Sequence, residues 1–168
     1  MRLYSPLALL FFILGCSAPK AFYDFRTEST VFAVYPLGRV GLPGIWTKVY
    51  YARSTGQQHF VKGDTVLSVS ITAKDDYPYY YQGNFTEFGF VKKYFDIESL
   101  HQMTKRAYEP KILLSDSSQA LMIWKLNDPQ NHYAIAFKCK GLTVYSIVVY
   151  GDWPDEYQIS FLKRIWYD

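Results

Sequence analysis

The sequence predicts an α+β domain, an antiparallel sheet carrying helices, preceded by an export segment. Three observations lead there. Apolar residues alternate over several short runs, separated by Gly- and Asn/Asp-rich turns. Helical periodicity takes over in two places, near the middle and at the C-terminal end. Strands come in blocks rather than alternating one by one with helices, which argues against a parallel α/β fold.

The first segment is not part of the fold. Arg2 precedes an apolar run over residues 7–14, a charged region and a hydrophobic region of signal-peptide proportions. The run is too short for a membrane-spanning helix, which needs about 20 apolar residues. It closes on Ile13-Leu14-Gly15-Cys16. These residues resemble the bacterial lipobox, an aliphatic residue, a variable one, a small one and then Cys. The resemblance implies a signal peptide over residues 1–15, cleavage before Cys16, and acylation of Cys16 as the first mature residue. Residues 16–29 are then expected as lipidated Cys and tether, and residues 30–168 as a single globular domain.

Mature-domain elements follow in order. Residues 30–35 read as a strand, and 36–44 as a loop because of their Gly and Pro content. Residues 46–51 and 57–62 read as paired strands around Ser54-Thr55-Gly56. Gly63-Asp64 is a tight turn, and residues 65–72 form a strand with Leu67, Val69 and Ile71 on one face. Residues 75–83 read as a Tyr-rich loop. Asn84 with Glu87 predicts a capping box and a helix to about Tyr108, recapped near Asp96, with Phe88, Val91, Phe95, Leu100, Met103 and Ala107 as its apolar positions. Pro110 stops it. Residues 111–114 and 120–126 read as strands, 127–131 as a turn, and 133–138 and 142–150 as a hairpin around Lys140-Gly141. Pro154, Asp155 and Glu156 open a last helix whose apolar face is Ile159, Leu162, Ile165 and Trp166. The order of elements resembles the PsbP-like sandwich fold over residues 30–168. That resemblance implies binding and assembly roles rather than catalysis.

Composition narrows the function classes. Aromatics make up 19% of the chain, with 16 Tyr, which excludes a disordered polypeptide. The net charge of +3, with Arg2 inside the signal segment, is too mild for a nucleic-acid partner. Once Cys16 is acylated, Cys139 is the only thiol, so no internal disulfide is expected and packing alone must hold the fold.

No catalytic, metal or cofactor pattern emerges. His59, His101 and His132 share no ligand spacing with each other or with carboxylates. Lys138 and Lys140 flank Cys139 and suggest a lowered thiol pKa. Alternation, however, puts Cys139 with Tyr133, Ile135 and Phe137, and so inside. Gly38, Gly41 and Gly44 lack the Gly-Lys-Ser/Thr of a phosphate loop. Ser117-Ser118 lacks a nucleophile elbow. Asp64-Thr65-Val66 resembles the short O-glycosylation acceptor of secreted Bacteroidota proteins.

The best candidate for binding is the aromatic run Tyr77, Tyr79, Tyr80 and Tyr81, whose rings suit sugar faces or a protein partner. The sequence thus predicts a non-enzymatic exported lipoprotein, an envelope binding or assembly accessory. Its expected partners are the lipid bilayer, through acylated Cys16, and an envelope protein or glycan. The alternative is a glycan-binding accessory using residues 77–85. Ser17 after Cys16, rather than Asp, points to the outer membrane facing the periplasm, by analogy with the enterobacterial sorting rule.

Overall fold

The computed structural model describes residues 18–106, 108–126, 132–151 and 153–167. The expected signal peptide, Cys16, Ser17, Ala107 and the turn at 127–131 lie outside the described residues. Among the described residues, ten strands and two α-helices run in the order β1 (Lys20–Asp24), β2 (Ser29–Val34), β3 (Gly38–Pro43), β4 (Thr47–Ala52), β5 (Gln57–Lys62), β6 (Thr65–Ala73), α1 (Glu87–Arg106), β7 (Pro110–Asp116), β8 (Leu121–Leu126), β9 (Tyr133–Lys140), β10 (Thr143–Tyr150) and α2 (Asp155–Tyr167). The fold is α+β, as the sequence predicts.

Two antiparallel sheets result: β1-β2-β3, and a seven-stranded sheet in the order β4-β5-β6-β10-β9-β8-β7. After the β4–β6 meander, α1 carries the chain across one face to the far edge. Strands β7 to β10 then step back until β10 pairs with β6, in a register that sets Val66 opposite Tyr150 and Ala73 opposite Thr143. Pro110 opens β7, an edge strand, where a missing N–H does least harm. No described helix is long and apolar enough to cross a membrane.

Strict alternation gives the large sheet two apolar faces. On one, Leu67, Val69, Ile71, Leu121, Ile123, Ala136 and Ile147 pack against Phe32, Val40 and Leu42 of the small sheet and Leu162 of α2. On the other, Met122, Trp124, Phe137, Cys139 and Val144 pack against Phe90 and Val91 of α1 and against Tyr79. Each core is closed by side chains only, and Cys139 is free and buried, on the face shared by Tyr133, Ile135 and Phe137.

Several expectations need correction. Lys20–Asp24 was expected as tether, but it forms β1 and pairs with β2 from Lys20↔Ala33 to Asp24↔Ser29. The stretch at 36–44 is not a loop. Val40 and Leu42 point inward with Arg39 and Gly41 outward, and this alternation makes it β3 despite its glycines. Thr30 fastens the link out of β3: its Oγ1 donates to the Gly44 carbonyl (3.0 Å) and accepts from Trp46 N (2.8 Å). Residues 75–83 are not an open loop but two 3-10 turns, Lys74–Asp76 and Pro78–Gln82.

Helix α1 is capped by Thr86, not Asn84. Thr86 Oγ1 accepts from Gly89 N at 3.0 Å, and the Glu87 carboxylate accepts from Gly141 N in the β9–β10 turn. The helix is continuous through Asp96. Its buried face continues from Val91 to Ser99 and Gln102, whereas Leu100 and Met103 are exposed. Three- and four-residue steps from Val91 and Phe95 lead to 98, 99 and 102, one position off the apolar residues. In α2, Pro154 sits just before the helix, and its carbonyl accepts from Tyr157 N and Gln158 N.

Candidate binding cleft

Four tyrosines were expected to form a binding surface, and the structure divides them. Tyr79 is 4% exposed. Its ring lies 4.7 Å from Phe90, centroid to centroid. Tyr77 packs edge-on against Phe90, Tyr94 and Phe137 at 5.5–5.8 Å, and its hydroxyl is 3.2 Å from Thr72 Oγ1. Tyr79 is a core residue between α1 and the sheet, and Tyr77 is half-buried beside it. Burial pushes the phenols of Tyr77, Tyr79 and Tyr94 above their ordinary value, which keeps them neutral. Tyr80 is half-buried like Tyr77, and Tyr81 reaches furthest into solvent. Tyr81 is 75% exposed and meets Tyr80 edge-on, while Tyr80 also lies near the Lys74 ammonium. A 3-10 turn points successive residues in different directions, so Tyr79, Tyr80 and Tyr81 cannot form one flat platform.

The histidines do not converge. His59 stacks on Tyr50, and His101 and His132 are exposed on α1 and beside β9. Among the described residues no group of three or more His, Cys, Asp or Glu could hold a metal ion. Cys139 is buried, and desolvation pushes its thiol up to about 11 despite the Lys74 ammonium, so the flanking lysines do not activate it.

A concavity lies elsewhere, on the small sheet. It is a cleft of about 760 Å³ between the β1–β2 turn, β3, the end of β5 and the last turn of α2. Val31 and Gly41 form its floor. Asp24 and Glu28 stand on one side, and Arg39, Lys62 and Arg164 contribute three cations. Each wall has a local cause. Asp24 Oδ1 accepts from Arg26 N at 2.9 Å and shapes the β1–β2 turn, and Thr27 Oγ1 and Ser29 Oγ bond at 2.7 Å. Gly44 takes φ +84°, a left-handed conformation, and a Cβ there would sit 2.8 Å from Lys62 Nζ. Lys62 in turn lies 5.8 Å from the Trp46 ring.

Chemically the cleft suits a polar ligand that carries anionic groups, with the carboxylates selecting for an accompanying cationic or hydroxylated group. Its described lining contains no His or Cys. The cleft was not legible in the sequence because its charges lie far apart, from Asp24 to Arg164. The one available signal was the Arg39-Val40-Gly41-Leu42 alternation, which predicts a two-faced strand. Comparisons with family models, with curated proteins and with solved structures return no match for this chain.

Proposed function

We propose that this chain is an exported, lipid-anchored protein of the cell envelope that binds a ligand or partner without catalysing its turnover. The observation that carries this reading is Ile13-Leu14-Gly15-Cys16 at the close of an apolar run, four residues before β1 begins. Two or three acyl chains on Cys16 give stable attachment, because each buried methylene contributes about 0.8 kcal/mol and one chain alone is marginal. Ser17 after Cys16 favours the outer membrane, facing the periplasm. The polar cleft beside β1 is the binding site in this reading, and an anionic envelope component is its ligand class.

The glycan alternative needs a row of exposed tyrosine rings, and it loses support with Tyr79 buried and Tyr77 half-buried in the aromatic cluster. Membrane fractionation of cells expressing the full chain tests the proposal. Wild type stays with the envelope after alkaline washing, and Cys16→Ala does not. Equal retention of both would sink the anchor. Photo-crosslinking from a position beside Arg39 should capture an envelope component, and Arg39→Glu with Lys62→Glu should abolish the adduct.

A further inference from the structure

The three-stranded sheet carries an unusual outer surface. Cross-strand partners define it in rows: Lys20, Ala33 and Arg39; then Phe22, Val31 and Gly41; then Asp24 and Ser29, with Val31 and Ser29 buried in the cleft. The first row places a cation on each edge strand, and Lys20 and Arg39 are both exposed. Phe22 is half exposed in the middle row. The two most exposed aromatic side chains among the described residues are Phe25 (85%) and Tyr35 (81%). Both belong to this small sheet, one in each hairpin turn, at opposite ends of the strands. Arg26 lies beside Phe25, also exposed. Exposed aromatics with interspersed cations are the composition that favours the headgroup layer of a bilayer over water. Asp24 and Glu28 are the carboxylates nearby, and both belong to the cleft wall.

Chain length sets where this surface can go. From Cys16 to Lys20 an extended chain reaches at most about 14 Å. A folded domain of this size is about 40 Å across. With Cys16 acylated as proposed, the tether is shorter than the domain and keeps the surface around the start of β1 at the bilayer. The Lys20 row, with Tyr35 just beyond it, is the part closest to the anchor.

We propose that the outer face of the β1–β3 sheet seats on a phospholipid bilayer containing anionic lipid, with Phe22, Phe25 and Tyr35 in the headgroup layer and Lys20 and Arg26 against lipid phosphates. This rests on the lipid-anchor reading and adds an orientation to it. It also turns the mouth of the cleft toward the headgroups, so that a ligand held by Arg39, Lys62 and Arg164 is met at the membrane surface. The opposite side of the molecule, where α1 lies, faces away.

The test uses the full chain, processed in its host membrane and purified in detergent, with Phe25→Cys, Tyr35→Cys or Leu100→Cys as a single labelling position. Leu100 is exposed on α1, and buried Cys139 is left in place. Each variant carries an environment-sensitive nitrobenzoxadiazole group and is reconstituted into phosphatidylethanolamine vesicles containing phosphatidylglycerol. The expected result is a blue shift and quenching by headgroup-level spin-labelled lipid at positions 25 and 35, with neither at 100. Acylated protein whose label stays water-like at 25 or 35, or enters lipid equally at 100, overturns the seating. Protein with no acyl mass on Cys16 contradicts the anchor reading instead, and removes the basis for the seating.

Discussion

The Tyr94 ring lies flat on the Phe137 ring, with centroids 3.9 Å apart and planes within 5°. This contact joins α1 to the middle of β9, and Trp124, Tyr77 and Phe95 close around it. Aromatic pairs of this kind add about 0.5–1.5 kcal/mol beyond area burial. Tyr94→Ala is expected to lower stability by about 3–5 kcal/mol, and Tyr94→Phe by under about 1 kcal/mol. Denaturant midpoints of the two variants check this. If Tyr94→Ala unfolds like the parent, α1 is not docked through this stack.

The same core predicts a loss of stability in alkali. Burial raises Cys139 from an ordinary 9.0 to about 11, and raises Tyr77, Tyr79 and Tyr94 above 10.0. The unfolded chain therefore releases these protons at lower pH than the folded one. The Cys139 contribution is complete below pH 9.0 and is lost as pH rises toward about 11, and the tyrosine contributions begin to be lost above pH 10.0. Urea unfolding across that window reads the slope, and Cys139→Ala should make it shallower. At neutral pH the thiol should react slowly with a disulfide reagent in the native chain and quickly after denaturation. Similar rates in both states would place Cys139 at the surface.

At the acid end the relevant group is Asp155. Its carboxylate accepts hydrogen bonds from Lys125 Nζ (2.6 Å) and Lys111 Nζ (2.8 Å), tying the start of α2 to β7 and β8. Hydrogen bonds from Lys111 and Lys125 hold its pKa below the ordinary 3.8. This stabilisation is present above pH 3.8 and disappears as pH falls through the lower folded value. Asp155→Asn should cost about 1 kcal/mol at neutral pH and flatten the acid limb. An unchanged acid transition would remove the ion pairs from the account.

The C-terminal helix offers a contrast within one turn. Leu162 is fully buried, and Trp166 meets Tyr145 edge-on at 5.6 Å with Lys138 Nζ over its ring. Lys163 is exposed. Leu162→Ala should cost about 2–5 kcal/mol and Trp166→Ala a comparable amount, with Lys163→Ala near zero. Thermal unfolding followed by circular dichroism separates them. Equal melting of all three would mean that α2 does not close the core.

Legibility in the sequence tracked local signals. β5, β6 and their Gly63-Asp64 turn, the β9–β10 hairpin and α2 were readable because alternation, turn chemistry and helix-end charges agree there. β3 was hidden because Gly38, Gly41 and Pro43 read as loop, while the Val40 and Leu42 that make it a strand are few. β1 was hidden because Lys20–Asp24 has weak alternation and is a strand only by pairing with β2. The face of α1 was misplaced because Ser99 and Gln102 are buried by geometry, where composition favoured Leu100 and Met103. For the tyrosines, composition alone does not distinguish a core from a platform: the 3-10 turns and α1 decide it. The cleft depended on contacts across the whole chain, from Asp24 to Arg164, which no local pattern encodes.

The central claim is that Cys16 becomes an acylated N-terminus and tethers the β1–β3 sheet at a membrane. Intact-mass spectrometry of the protein purified from its host membrane tests it most directly. The account predicts a chain starting at Cys16, heavier than its sequence by a diacylglycerol group, with or without a further N-acyl chain, and a Cys16→Ala variant that keeps residues 1–15 and gains no lipid. A mature chain that starts elsewhere, or that carries an unmodified Cys16, would contradict it.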